Sequence, residues 1–273
     1  MICTSGATLT SRSASDPPFL SDCQQEQPLM KFHLSRRFGT FIVLALLPTS
    51  IVTTVTAADA TPPAGPPSAT QSILIEASKQ LAATPTIRFE LKVEGDTFID
   101  DGKSLRLLEA SGELVRPESV RTDFKLKVMG TVTISTSMVI IGEQRWSTDL
   151  ITGSWGDAPE EFGYDPGILF DNQNGIGPVM DRIQDPTQLA DEKVHDRDAY
   201  HITAQVKPEI LDDLTSGTMS GDPISVDLWI DKETHDVLRV RLTEPDTVTD
   251  REPAVWTLDI TDQGKEFTIE PPA

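Results

Sequence analysis

The sequence predicts an α+β domain in which antiparallel strands outnumber a few short helices. The clearest pattern lies in Pro223–Leu242, where apolar and polar residues alternate on either side of the polar run Asp231–Asp236. A period of two is typical of a strand with one buried face, and the polar run indicates a hairpin turn. With comparable alternation elsewhere, the chain is predicted to contain about nine to eleven strands in total, whereas helical spacing occurs in about three short segments.

The remaining elements follow from the same two periodicities. Alternation, or β-branched composition in one case, predicts strands at Phe89–Val93, Leu108–Leu114, Phe124–Val128, Thr131–Ile141, Gln144–Leu150, Tyr200–Val206, Trp256–Ile260 and Phe267–Ile269. Ser68 and Gln71 form a predicted capping box before a helix that ends near Pro85. A second helix is predicted over Ile176–Ile183, and a third begins at Pro208.

A sheet of this size carries more apolar strand surface than three short helices can cover. It must therefore curl, and it can close as a barrel, pack against a second sheet or wrap around the helices. Leaving such a surface in water costs roughly 25 cal/mol per Å². One hypothesis is that an apolar ligand occupies part of the interior. The alternative, a core filled by the chain's own side chains, is equally compatible with the periodicity.

The N-terminal region has the composition of a targeting segment. The apolar run Phe41–Leu47 follows a basic stretch and precedes small residues suited to a signal peptidase. Residues 30–60 are therefore predicted to be a signal peptide or, alternatively, a membrane anchor. Residues 1–29 fit neither a signal nor a domain, and we interpret them as an upstream extension from a misassigned start codon. Residues 61–70 are interpreted as a flexible linker, and residues 71–273 as a single domain.

Both cysteines, Cys3 and Cys23, precede the apolar run. The region after that run therefore offers no disulfide, no cysteine metal ligand and no cysteine for lipid attachment. The chain carries 23 basic and 43 acidic residues, a formal net charge of −20. Such an acidic chain repels nucleic acid, which we exclude as a partner. An extracytoplasmic location is predicted, either secreted or associated with a membrane through the N-terminal segment.

The sequence contains no strong signal for catalysis or metal binding. His195 and His201 lie six residues apart, so both would face the same side of a strand. A weak metal site there is less favoured than two solvated surface residues. No nucleophile elbow and no phosphate-binding glycine loop is present. We therefore predict a protein that is not an enzyme and that uses no cofactor and no metal; a hydrolase of unfamiliar type, dependent on His195 or His201, is the weaker alternative.

Several short motifs carry a resemblance when their order and spacing are taken together. They are Gly153-Ser154-Trp155, Tyr164–Leu169, Gly175-Ile176, Asp185-Pro186, Val226–Asp231 and Val237–Val240. In this order the sequence resembles the LppX–LprAFG lipoprotein family, which is related to the LolA and LolB lipoprotein carriers. The resemblance implies a strongly curved antiparallel sheet, a LolA-like half β-barrel, with a few short helices over the concave face and an apolar cavity between them.

Members of that family bind acyl chains of lipids or glycolipids, help to move them across the cell envelope, and are not enzymes. The resemblance implies a cavity lined by Phe89, Leu91, Val93, Phe124, Leu126, Val128, Leu228 and Ile230. It places the mouth of the cavity at Phe162, Tyr164, Ile168, Leu169, Phe170, Val179, Met180 and Ile183. The segment Glu160–Gln184 would act as a movable gate. Ordinary core packing is the alternative for each of these residues.

The resemblance therefore implies an exported, monomeric carrier of lipid or glycolipid acyl chains with a transient membrane or membrane-protein partner. The family normally carries a lipidated cysteine after its signal, and this sequence has none. For that reason an envelope stress sensor, or a protein-interaction module on the same fold, is a second hypothesis.

Overall fold

Alternating apolar residues form strands throughout the computed structural model, which describes residues 67–99, 102–158 and 165–273. In these ranges the strands are β1 Thr86–Glu94, β2 Leu105–Val115, β3 Ser119–Val128, β4 Val132–Ile141, β5 Gln144–Thr148, β6 Trp155–Asp157, β7 Thr187–Gln188, β8 Glu192–Val194, β9 Arg197–Val206, β10 Ile224–Asp231, β11 Val237–Thr243 and β12 Val255–Thr261. The predicted upstream extension, the signal segment and most of the linker lie outside the described residues, so they stay predictions.

The strands form one antiparallel sheet with two free ends. Their order is β6-β5-β4-β3-β2-β1-β12-β11-β10-β9-β7, and β8 also pairs with β9. β1 joins the two halves because it pairs with β2 on one side and with β12 on the other. Within the described residues β6 and β7 do not pair with each other, so the sheet is not closed into a barrel. The predicted α+β fold with a large curved antiparallel sheet is confirmed.

The described residues contain three α-helices, α1 Ala69–Ala83, α2 Ile176–Arg182 and α3 Asp212–Thr215. They also contain two 3₁₀ helices, Pro166–Phe170 and Pro208–Ile210. The predicted start of α1 is confirmed, since the Ser68 hydroxyl accepts a hydrogen bond from the Gln71 amide at 3.1 Å. The second predicted helix is also present, but it ends one residue before Ile183.

One face of the sheet, here called the inner face, packs against these helices. Its strand residues form a single apolar cluster with helix residues such as Leu74, Leu81 and Met180. We call this the inner cluster. Along α1 the buried residues Leu74, Ala77 and Leu81 recur at helical spacing, so one side of the helix faces the sheet. The opposite, outer face of the sheet carries most of the charged strand residues.

A β-bulge changes the predicted pattern in the β10–β11 hairpin. Trp229 pairs with Arg239, but Ile230 pairs with Val237, so Leu238 is the extra residue. As a result Val237 joins the inner cluster, whereas Leu238 faces outward. Strict alternation places Leu238 with Val240 and Leu242 on the inner face, and Val237 with the arginines on the outer face. The bulge reverses this prediction for Val237 and Leu238.

A second bulge lies in β2. Leu107 pairs with Leu126 and Glu109 pairs with Lys125, so Leu108 has no partner in the register. The alternation of Leu108, Ala110, Gly112 and Leu114 with polar residues predicts that Leu108 lies on the apolar face. This prediction is wrong, because Leu107 is the residue in the inner cluster. The bulge shifts the side-chain alternation by one residue without breaking the strand.

The predicted strand Phe267–Ile269 does not form. Both edges of β12 are already paired, with β1 and β11, so the chain that follows has no free edge beside it. The chain instead turns after Thr261, where the Gly264 amide donates to the Thr86 carbonyl at 2.9 Å and the Thr86 hydroxyl donates to the Lys265 carbonyl at 2.7 Å.

Candidate functional site

The residues predicted to line a cavity lie on the inner face. Phe89, Leu91, Val93, Phe124, Leu126, Leu228 and Ile230 are buried members of the inner cluster. Val128 is half-buried at the end of β3. The periodicity thus predicts correctly which side of each strand faces inward for the buried seven. Their role as the lining of a ligand cavity stays a prediction.

The residues predicted to form a mouth divide into three groups. Leu169, Phe170, Val179, Met180 and Ile183 are buried in the inner cluster. Ile168 is half-buried and packs against that cluster. Phe162 and Tyr164 lie outside the described residues. The 3₁₀ helix Pro166–Phe170 and α2 therefore bring the described members of this set onto the inner face.

An aromatic contact fixes the 3₁₀ helix against the sheet. The rings of Phe89 and Phe170 lie 5.5 Å apart between centroids with planes at 49°, a tilted arrangement favoured by aromatic pairs. Gly112 lies opposite Phe89 in the register of β1 and β2. A Cβ atom on Gly112 would lie 2.1 Å from the Arg121 carbonyl oxygen and 2.9 Å from the Phe89 ring. Only glycine fits at this position.

A crevice of about 400 Å³ opens beside this contact, and we call it the rim crevice. It lies at the end of the sheet where β2 turns into β3 and β4 turns into β5, since the Gly142 amide donates to the Glu118 carbonyl there at 2.9 Å. Its apolar lining is Leu114, Val120, Ile140, Ile168 and Phe170. Its polar edge includes Arg116, Glu118, Asp165, Asp171 and Asn172. All five apolar residues belong to the inner cluster or pack against it.

Arg116 ties three segments together at the rim crevice. Its guanidinium donates to the carbonyls of Thr84 at 2.9 Å, Phe170 at 2.8 Å and Leu81 at 3.2 Å. Two of these acceptors are at the end of α1, and the third closes the 3₁₀ helix. Burial lowers the pKa of Arg116, and the nearby Asp171 carboxylate partly offsets that effect. Arg116 thus fixes the end of α1 to the 3₁₀ helix of the predicted gate.

α1 and α2 approach closely beside a second crevice of about 210 Å³, which also has Arg116 and Phe170 in its lining. The Ser78 hydroxyl on α1 donates to the Asp181 carboxylate on α2 at 3.1 Å. Gly177 faces Ser78, and an added Cβ would lie 3.4 Å from the Ser78 hydroxyl oxygen. Small residues therefore allow the two helices to pack together, with one polar contact between them.

The family model described as "LppX_LprAFG lipoprotein" matches residues 69–269, which include the sheet, the helices and both crevices. The chain belongs to this family. The extent predicted from the motifs, about residues 70–270, agrees with that match.

One curated relative is similar to part of the chain. The lipoarabinomannan carrier protein LprG of Mycolicibacterium hassiacum is 28% identical over 131 residues, which is 46% of this chain and 54% of LprG. The chain thus spans about half the length of that relative.

Two members' crystal structures show the same fold. LprF from Mycobacterium bovis superposes with a TM-score of 0.61 at 18% identity, covering 77% of this chain and all of LprF. LppX from Mycobacterium tuberculosis superposes with a TM-score of 0.53 at 9% identity, covering 74% of this chain and 98% of LppX. At these identities the likeness concerns the fold alone.

Sequence reasoning missed Arg116 and Gly112 in this family member. Arg116 stands beside Pro117 in a turn, where nothing in the local sequence distinguishes it from a solvated surface arginine. Gly112 fits the alternation of β2 and gives no sign that the neighbouring carbonyl approaches so closely. Both roles arise from residues distant in sequence, and neither has a local signal.

His195 and His201 lie on the outer face and contact carboxylates. His201 faces Glu192 through Nδ1 at 3.0 Å and Asp227 through Nε2 at 3.2 Å, and its ring stacks on Trp229 at 4.3 Å between centroids. His195 Nε2 lies 3.0 Å from Asp259. In the ranges that the structure describes, no three His, Cys, Asp or Glu side chains converge as metal ligands would.

The outer face also has a small buried apolar cluster of its own. Val194, Ala199, Trp229 and Leu238 bury one another under the short strand β8. The Trp229 indole donates to Glu192 at 2.9 Å, which lowers the pKa of that carboxyl group. Trp229 lies on the face predicted from alternation, but it is buried and not solvated as the pattern suggests.

Among the helices of the described residues, none combines the length and the apolar composition needed to cross a bilayer.

Proposed function

We propose that this chain is an exported carrier that holds acyl chains of a lipid or glycolipid non-covalently and takes part in lipid transport in the cell envelope. The observation that carries the proposal is the position of the rim crevice, whose apolar lining is continuous with the inner cluster. Family membership supports it, as does the relative named as a lipoarabinomannan carrier. In this proposal the chain performs no covalent chemistry, acts as a monomer and meets a membrane or membrane protein only transiently.

The energetics favour an acyl chain as the ligand. Burying a methylene group gains about 0.8 kcal/mol, so a chain of about 16 carbons gains roughly 12 kcal/mol before the costs of ordering are subtracted. The rim crevice falls within the range of about 300–1,000 Å³ that is typical of small-molecule sites. A whole acyl chain needs further room, which the inner cluster would provide if the gate moved.

The gate we propose is Glu160–Gln184, of which residues 165–184 are described. Its 3₁₀ helix and α2 contribute apolar side chains to the inner cluster. Their polar connections to the rest of the fold include the Arg116 bond to Phe170 and the Ser78–Asp181 bond. A segment held mainly by non-directional apolar contacts exchanges one apolar neighbour for another at low cost. An acyl chain would replace part of its packing.

The test is the lipid occupancy of the purified wild-type chain and of two variants. Native mass spectrometry and organic extraction should detect bound lipid in the wild type. Ile168→Glu should lower occupancy about tenfold or more, because a carboxylate at the entrance removes apolar contact and adds a desolvation cost. Leu189→Glu is the matched control: Leu189 is exposed and follows β7 at the other edge of the sheet.

A ligand-free wild type from a lipid-rich host contradicts the proposal. So does an Ile168→Glu variant that folds normally and retains as much lipid as the Leu189→Glu control. Circular dichroism and thermal unfolding of the three proteins separate loss of binding from loss of fold.

A further inference from the structure

Two adjacent hairpin tips carry exposed apolar side chains. In the turn between β3 and β4, Met129 is 79% exposed and Val132 is 57% exposed. In the turn between β5 and β6, Ile151 is 94% exposed and Leu150 is 43% exposed. Because successive hairpins turn at alternate ends of a sheet, these two tips lie at the same end. The rim crevice lies at the opposite end, with the β2–β3 and β4–β5 turns.

Both tips are well-formed turns and not loose loops. Met129 and Gly130 have φ of +46° and +70°, and the Thr131 amide donates to the Val128 carbonyl at 3.1 Å. These angles suit Asn-Gly in a two-residue hairpin turn and disfavour methionine. In the other turn, Asp149 Oδ1 accepts hydrogen bonds from the amides of Ile151 at 3.0 Å and Thr152 at 2.7 Å. The backbone geometry holds the apolar side chains outward.

The first tip differs in charge from the rest of the chain. Residues 124–138 contain Lys125 and Lys127 and no acidic residue, although acidic residues outnumber basic ones by 43 to 23 overall. Lys125 is paired with Glu109. Lys127, next to the exposed apolar tip, suits a lipid surface, because its aliphatic stem reaches the apolar layer while its ammonium group stays near phosphates. The one acid in the second tip, Asp149, is engaged by its own turn.

We propose that these two tips insert into the headgroup region of a phospholipid bilayer and attach the protein to it reversibly. The exposed apolar residues project from two separate turns, which suits a fluid interface better than a folded partner. Trp155 and Trp146 are half-buried at the base of the second tip, and tryptophan favours such interfaces. This attachment is non-covalent and requires no lipidated cysteine. It directs the rim crevice away from the bilayer.

A fluorescent probe at the tip tests this contact directly. The full chain carries Cys3→Ser and Cys23→Ser, with one new cysteine, Ile151→Cys or Leu189→Cys, labelled with an environment-sensitive dye. Addition of phosphatidylcholine vesicles should shift the emission of the Ile151→Cys probe to the blue and leave the Leu189→Cys probe unchanged. Because the N-terminal segment is the same in both proteins, the difference reports on the tips.

A double substitution measures how much the two tips contribute to vesicle binding. Met129→Ser with Ile151→Ser should lower the vesicle partition coefficient about tenfold or more, since two exposed apolar side chains are lost. Leu189→Ser should leave the partition coefficient unchanged.

Three results would overturn the proposal: equal emission shifts at the two probe positions, no shift at either position, or unchanged partition of the double variant. An Ile151→Cys shift that depends on protein concentration without vesicles would assign the tips to a second copy instead. Acyl-chain occupancy is measured separately and is independent of this result.

Discussion

The two faces of the sheet differ in how they contribute to the fold, and neighbouring residues of β3 show the difference. Leu126 points inward and is fully buried among the helices and neighbouring strands. Lys125 points outward, lies 3.4 Å from Glu109, and both side chains are nearly half exposed. Burial of apolar area is the larger source of stability, whereas an exposed ion pair contributes little.

The two faces also differ in whether they need a covering layer. The outer face is crossed by ion pairs such as Arg88 with Glu113 and Arg239 with Asp259, and these pairs fix geometry without needing a second layer of structure. The inner face depends on an apolar cover. Helices supply that cover in this structure, and under the proposed function an acyl chain would supply part of it. The face that stabilises the fold is therefore also the face that a lipid would use.

Truncation of Leu126 should produce the largest loss in the free energy of unfolding. Leu126→Ala removes a fully buried side chain and should lower the free energy of unfolding by about 2–5 kcal/mol, the range typical of such core deletions. Urea denaturation monitored by tryptophan fluorescence measures the change. A loss below about 1 kcal/mol would mean that the surroundings of Leu126 are loosely packed or can collapse, and it would contradict the close packing inferred for the inner face.

An intermediate loss in the free energy of unfolding is expected on substitution of Asp231, a buried carboxylate on the outer face. Asp231 is 4% exposed and accepts hydrogen bonds from the amides of Glu233 at 2.8 Å and Thr234 at 2.7 Å, and from Arg197 Nε at 2.7 Å. Burial alone raises the pKa of Asp231, but the hydrogen bonds from Thr234, Arg197 and Glu233 outweigh burial and lower it overall. Asp231→Asn should cost about 1.5–3 kcal/mol at neutral pH.

The same substitution should change the dependence of stability on pH. Because the pKa of Asp231 is lower in the folded state, its contribution is complete above the unfolded value of about 3.9 and is lost as the pH falls through the folded value. The stability difference between wild type and Asp231→Asn should therefore shrink below about pH 4. Unfolding curves from pH 7 to pH 3 measure it. A difference that stays constant over this range would show that the carboxylate has no special stabilisation in the folded protein.

The sequence predicts the inner face well because its pattern depends on local alternation. Phe89, Leu91, Phe124 and Leu126 are assigned correctly since each strand keeps one apolar side. The errors occur at bulges, where Leu108 and Leu238 change places with their neighbours. A bulge depends on the register between two strands, and a single strand's sequence does not contain it.

The candidate site is only partly accessible to sequence reasoning. Resemblance to a family assigns Ile168 and Phe170 to the mouth of a lipid cavity. Both line the rim crevice, and their role as a mouth stays a prediction. The carbonyl acceptors of Arg116 come from α1 and from the 3₁₀ helix, which are 32 and 54 residues away in sequence. Such a contact depends on the complete fold, so neither composition nor periodicity predicts it.

The smallest effect should occur at Lys125, directly beside Leu126. Lys125→Gln removes the ion pair with Glu109 but keeps most of the side chain, so the free energy of unfolding should change by about 0.5 kcal/mol or less. Repeating the measurement in about 1 M salt should abolish the difference, because screening at that ionic strength acts over roughly 3 Å. A loss as large as that of Leu126→Ala would refute the division between the faces. A small, salt-sensitive loss would show that neighbouring residues of one strand differ in their contribution because of the face on which each lies.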